Sequence, residues 1–189
     1  MLSSIHDLNG AARHEARNST FYPLMKKENA LNTDARNAVR IVRLESTHIH
    51  ACEAIARSLP AWFGIEEGLQ DMRHCLETEP GLVALDGETI TGFITIAAPF
   101  PETREITWMA VAPTHHRRGT GRALIDALAH QAISEGATML HVKTLADLHP
   151  SHEYAQTRAF YMSQGFRRLV VLPDLWGPKN PCLLLVRPL

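Results

Sequence analysis

The sequence has few of the features that assign a chain to a function class directly. Its three cysteines, Cys52, Cys75 and Cys182, are an odd number, widely spaced and without a CxxC pair, so neither a disulfide framework nor a zinc knuckle is expected. No stretch approaches the roughly 20 apolar residues of a membrane span. The first thirty residues lack the apolar region of a signal peptide. Arg13, Arg17, Ser19 and Thr20 have transit-peptide composition, but Asp7 and Glu15 argue against one. Charge of one sign is missing too: 19 basic and 20 acidic residues give a net charge of −1. A balanced chain has no global pull toward nucleic acid or an anionic membrane. Internal repeats and low-complexity tracts are absent. These absences lead us to expect a reduced, cytoplasmic protein with neither nucleic-acid nor membrane partners.

Two phosphate-binding signatures are missing as well. A P-loop would need GxxxxGK[ST], and no lysine follows Gly121; a dinucleotide fingerprint would need glycine where Leu124 stands. His115-His116 and the pair His149 and His152 lack a complementary ligand set, so no metal is expected. What remains is 45% hydrophobic, enough for one ordinary domain with a real core. Residues 1–38 are polar and without sustained periodicity, and read as an extension. Order is expected over residues 39–189.

The first strand is expected from Val39 to Leu44, then a helix from about His48 to Leu59, stopped by Pro60. Trp62-Phe63-Gly64-Ile65 reads as a compact apolar turn, followed by a second amphipathic helix to about Leu76. Gly81–Leu85 and Ile90–Ile96 read as strands joined by an Asp86-Gly87 turn. A third strand of this group runs from Glu105 to Val111. A helix begins after Gly119-Thr120-Gly121, with Leu124, Ile125, Leu128 and Ala132 on one face and Gly136 just past its end. A strand at Met139–Thr144, a helix at about Tyr154–Gln164 ended by Gly165, and strands at Phe166–Leu172 and Cys182–Val186 complete an α/β (α+β) domain.

The chemistry is expected where the strand Glu105–Val111 hands over to the helix near Gly121. A helix start presents unpaired N–H groups backed by the positive end of its dipole. Gly119 and Gly121 let a phosphate approach the backbone, and Arg117, Arg118 and Arg122 add charge. Alone, this turn supports a pyrophosphate cradle and an ordinary helix start about equally.

Context adds more. Met109-Ala110-Val111-Ala112-Pro113 followed by His116-Arg117-Arg118-Gly119-Thr120-Gly121-Arg122 resembles the acetyl-coenzyme A motif of the GNAT acyltransferases, [Q/R]-x-x-G-x-[G/A] after a strand. Arg158-Ala159-Phe160-Tyr161-Met162-Ser163-Gln164-Gly165-Phe166 resembles the helix that follows in that family. Two departures stand out: His116 replaces the usual Gln or Arg that braces the loop, and Tyr154 stands where many members have Asn.

The resemblance covers residues 39–189 and implies the GNAT fold: a mixed sheet of six to seven strands with flanking helices, splayed between the strands 105–111 and 139–144. It implies acetyl-coenzyme A as co-substrate and no metal. The implied coenzyme contacts are Met109, Ala110 and Val111, the loop Arg117, Arg118, Gly119, Thr120, Gly121 and Arg122, and Tyr154. Val111 N–H would lie near the thioester carbonyl. Tyr161 is the implied acid for the leaving thiolate, and Glu105 the base for the amine. Glu105, Thr107 and Met109 should share one strand face by the period of two. His149 and His152 are alternative bases. No cysteine falls in either motif, so direct transfer in a ternary complex is expected rather than cysteine nucleophilic catalysis.

Trp62 and Phe63 are the candidate acceptor wall, and Trp176-Gly177-Pro178 a second aromatic loop. The acceptor expected is the primary amine of a small molecule. The alternatives are a non-catalytic acyl-coenzyme A-binding regulatory module and a protein or peptide acetyltransferase. A homodimer is the default assembly.

Overall fold

A computed structural model describes residues 39–189; the extension expected over residues 1–38 lies outside the described residues. The described residues open with β1 (Arg40–Arg43), a 3₁₀ turn at Ser46–His48, α1 (Ile49–Arg57), the single turn α2 (Pro60–Phe63) and α3 (Glu66–Thr78). It continues through β2 (Gly81–Asp86), β3 (Thr89–Ala97), β4 (Thr103–Val111), α4 (Thr120–Ser134), β5 (Met139–Leu145), α5 (His152–Ser163), β6 (Arg167–Leu172) and β7 (Cys182–Pro188). The segment read as an apolar turn at Trp62 is itself helical, because Pro60, placed to stop α1, sits in the first turn of α2, where its missing N–H costs nothing.

The seven strands form one mixed sheet in the order β1-β2-β3-β4-β5-β7-β6. Only β4 and β5 are parallel, joined by the crossover through α4. Each face of the sheet has its own core. On one, Leu124, Ile125 and Leu128 of α4 pack on Ile94, Ile96 and Ile106, with Tyr161 of α5 and Phe166 beside them. On the other, Cys52 and Ile55 of α1 and Leu69 and Met72 of α3 pack on Val83, Phe93 and Ala110. Covering both faces explains why Gly81–Leu85 is buried without alternation.

Both long helices that flank the site end in the same way. Gly136 and Gly165 take φ of 82° and 87°. Ala137 N–H reaches Ala132 O at 2.9 Å, and Phe166 N–H reaches Tyr161 O at 3.1 Å. This is the Schellman closure that glycine one residue beyond a helix end favours. Among the described residues no helix is long and apolar enough to cross a membrane.

Candidate active site

The parallel pair opens into a cleft. β4 and β5 pair only over Thr103–Ile106 with Met139–Val142. Beyond that point β4 keeps to β3 and β5 keeps to β7, so the two strands part. A bulge at Thr107 bends β4 where the separation begins: Trp108 faces Thr95 and Ile106 faces Ile96, leaving Thr107 as the extra residue. Hydroxyl groups fix the bulge. Thr107 donates to Glu79, and Thr95 in turn donates to Thr107 at 2.7 Å.

The bulge corrects one expectation. Met109 does not share a face with Glu105 and Thr107, because the inserted residue resets the period of two. Met109 instead joins Ile106 on the α4 side of the sheet. Glu105 points to the opposite face, as does Lys143, whose neighbour Val142 belongs to the α4-side core.

Strand geometry dictates which backbone groups face the gap. Ala112 N–H bonds Thr91 O at 2.8 Å, so Thr91 and Ala112 are a hydrogen-bonded pair. Alternation along an antiparallel ladder then makes Ala110 with Phe93 bonded, and Val111 with Gly92 and Met109 with Ile94 non-bonded. Residues in non-bonded pairs turn both polar groups away from their partner. Met109 and Val111 therefore present N–H and C=O toward the gap that β5 has left, while Ala110 contributes wall only. His116 Nε2 lies 2.8 Å from Val111 O. A carbonyl only accepts, so Nε2 carries the proton and the imidazole braces the end of β4.

The cleft, about 1190 Å³, runs through the sheet from the start of α4 to the α1–α3 side. At its α4 end Gly119 is the N-cap residue with φ 86°, and no side chain caps the helix. A Cβ at Gly119 would meet nothing within 4 Å, whereas one at Gly121 would approach Phe160 at 3.0 Å and Met109 at 3.2 Å. Gly119 thus serves the turn, and Gly121 serves close packing of α4 on α5. Arg117 and Arg122 line this end; Arg118 is exposed outside it. Arg122 is 3.4 Å from Asp126, an exposed pair.

In the middle of the cleft stands Tyr161, buried against Phe166 with ring centroids 5.3 Å apart. Its hydroxyl has a sulfur partner, Met109 Sδ at 3.8 Å. Burial raises the pKa of the phenol, so it stays a proton donor across the neutral range. Toward the α1–α3 side, Glu105 Oε1 pairs with Lys143 Nζ at 2.7 Å. His141, register partner of Glu105, is held below its usual range by desolvation, with Lys143 adding to the effect and Glu105 opposing it.

Trp62 joins three parts of the site. Its Nε1 donates to Thr157 Oγ1 at 3.0 Å, its carbonyl accepts from Tyr154 OH at 3.2 Å, and its ring meets His116 edge-on at 6.4 Å. The Tyr154 hydroxyl is therefore engaged with α2, and burial raises its pKa. Phe63 packs on Trp108, with centroids 5.9 Å apart. His149 lines the cleft, whereas His152 is exposed on α5 beside Gln156. Among the described residues six buried side-chain N or O atoms have no partner, and four of them belong to cleft residues: Trp108, Thr120, Thr144 and Trp176. That concentration marks the cleft as a place built around polar groups a ligand can satisfy.

Sequence reasoning missed Lys143, Trp108 and Arg158. Buried Arg158 donates to Leu145 O at 2.9 Å and pairs with Asp147 at 2.7 Å, which pins α5 to the end of β5. Alternation of Leu140 and Val142 with His141 and Lys143 is the signal that could have placed Lys143 opposite the core.

The model of the acetyltransferase (GNAT) family matches residues 49–166. Among solved structures, a protein from Desulfovibrio desulfuricans described as a GNAT-family acetyltransferase superposes with a TM-score of 0.70 at 20% identity, covering 80% of this chain and 99% of that one. The ribosomal-protein-S18-alanine N-acetyltransferase of Escherichia coli gives 0.63 at 20% identity over 80% and 94%. An aminoglycoside 6'-N-acetyltransferase solved with coenzyme A gives 0.62 at 16% identity over 78% and 96%. No curated protein matches the sequence.

Proposed function

Because the chain belongs to the GNAT acetyltransferase family, we propose that its cleft binds acetyl-coenzyme A and passes the acetyl group to the primary amine of a small molecule. The observation that carries this reading is one continuous cleft. It unites the uncapped start of α4, the gap-facing backbone of Met109 and Val111, and the Tyr161 hydroxyl.

The residues present fit the coenzyme. N–H groups at the start of α4, with Arg117 and Arg122, suit a pyrophosphate, and the buried, unpartnered Thr120 hydroxyl lies at the same point. Met109 and Val111 offer strand-like pairing to an amide-bearing arm. Acetyl-coenzyme A, when bound, supplies an acyl group activated as a thioester.

The chain's own groups do the rest. Val111 N–H is placed to donate to a carbonyl oxygen as negative charge builds on it. Glu105 accepts the proton an amine must lose before it attacks, and the Tyr161 hydroxyl gives a proton to the departing sulfur. Transfer is direct, in a ternary complex. All three cysteines are buried and outside the cleft lining, and burial pushes Cys52 up to about 12 and Cys182 up to about 11.

The test is acetyl transfer from acetyl-coenzyme A to a panel of amines, read by mass spectrometry together with thiol release. One acetylated amine per free thiol is expected. Binding of the coenzyme without product from any amine would overturn the proposal in favour of a non-catalytic module.

Gly119→Ala tests the cradle separately. Positive φ costs an L-residue about 1–2 kcal/mol, and no steric contact adds to it. The turn should relax away from its N–H-presenting shape. KM for acetyl-coenzyme A is expected to rise about tenfold, a loss on the order of one charge-assisted hydrogen bond, with kcat at saturation little changed.

A further inference from the structure

The acceptor half of the cleft has an unusual charge balance. Among the described residues Glu105 is the single carboxylate in the cleft lining, and Lys143 already neutralises it at 2.7 Å. A polycation such as a polyamine or a multiply charged amino sugar would find one carboxylate and an ammonium beside it. Its further charges would be desolvated without partners, which is costly. The surrounding wall is instead aromatic: Trp62, Phe63, Trp108 and Trp176.

Three hydrogen-bonding groups of the lining can only donate. The indole N–H groups of Trp108 and Trp176 are buried without partners, and an indole N–H cannot accept. Lys143 Nζ adds donors, three on one ammonium, and only one of its contacts is taken up by Glu105. A ligand that satisfies this set brings oxygen acceptors, an amine and an apolar body. The paired charges suit it in one orientation: the Glu105 carboxylate faces the amine, and the Lys143 ammonium faces a carboxylate carbon two bonds from the amine nitrogen.

We infer that the acceptor is a free α-amino acid with an apolar or aromatic side chain, its carboxylate held by Lys143 and its amine presented to Glu105. This inference rests on the transferase reading above and names the substrate class of that site. In the reaction the amine nitrogen forms the new N–C bond as the C–S bond breaks. The amine's proton leaves to Glu105, and the thiolate takes its proton from Tyr161. Lys143 acts by binding and takes no part in the proton transfers.

The test compares acceptors with the full chain at saturating acetyl-coenzyme A: phenylalanine against phenylalaninamide and phenethylamine, tryptophan against tryptamine, and both amino acids against the polycation spermidine. In the wild type, kcat/KM for the amino acid should exceed that of its carboxylate-free partners by about 10- to 100-fold, the size of one charge-assisted contact. Lys143→Gln should bring that ratio close to one, whatever it does to turnover as a whole, because a ratio within one variant cancels effects on Glu105 or on folding. Lys143→Arg should keep the preference. A wild-type preference for the amide, the simple amine or spermidine overturns the inference while leaving the transferase reading intact. A ratio that survives Lys143→Gln does the same. Acetyl-coenzyme A binding with no transfer to any of these amines overturns the inference, and the transferase reading falls with it only if the wider amine panel is inert as well.

Discussion

Tyr161→Phe is expected to lower kcat by about 10²-fold or more while leaving the affinity for acetyl-coenzyme A and the melting temperature nearly unchanged. Among the described residues the hydrogen-bond partner of the Tyr161 hydroxyl is the Met109 thioether at 3.8 Å, a weak acceptor. Deleting a weakly bound hydroxyl costs well under the roughly 1 kcal/mol of an ordinary hydrogen bond, and the ring remains packed between Phe160 and Phe166. Chemistry suffers because the other buried hydroxyls of the cleft, those of Thr120 and Thr144, are aliphatic alcohols and far weaker acids than a phenol. Burial keeps the phenol protonated, so the alkaline limb of the wild-type pH profile should not report its ionisation. Pre-steady-state thiol release separates the two effects: a slowed chemical step with unchanged binding is predicted, and an unchanged step would remove Tyr161 from the acid role.

The second large effect is on stability. Phe166→Ala should destabilise the fold by about 3–5 kcal/mol, a fall in melting temperature of roughly 6–20 °C for a domain of this size. Phe166 is 1% exposed, and it is both the residue that closes the α5 Schellman motif and the wall against which Tyr161 rests. Truncation leaves a cavity inside the α4-side core, and close-packed neighbours relax into it only in part. Thermal unfolding by calorimetry reads the shift. A change below about 1 kcal/mol would mean that α5 does not depend on this contact.

The ends of α4 and α5 show what the sequence made legible. Gly136 and Gly165 punctuate two helices because a Schellman closure needs positive φ, and their spacing from the apolar faces reveals both ends. Asp86-Gly87 marks the hairpin for a similar local reason. The order of elements and the glycine turn at Gly119 followed from periodicity and turn chemistry, and the mixed sheet from the family resemblance.

Non-local geometry did not. The bulge at Thr107 has no glycine or proline to announce it; hydroxyl groups from Thr95 and Thr107 and the distant Glu79 hold it. Counting by two past that point therefore put Met109 on the wrong face relative to Glu105. The Glu105–Lys143 pair depends on the register of two strands separated by the whole of α4, which no local pattern encodes. Trp62 reads as a hydrophobic hinge in isolation. Its role emerges only when Thr157, Tyr154 and His116 arrive around it. His116, a departure from the Gln or Arg usual at its place, finds its partner in Val111 O, five residues back at the end of β4.

The central claim is that the splayed cleft is an acetyl-coenzyme A site built on the turn at Gly119 and the end of β4. Calorimetric titration with acetyl-coenzyme A, on the wild type and on Arg117→Ala with Arg122→Ala, tests it most directly. The account predicts saturable one-to-one binding, weakened at least tenfold in the double variant and more sensitive to salt in the wild type than in the variant. Absence of binding, or binding that the double variant leaves unchanged, would contradict it.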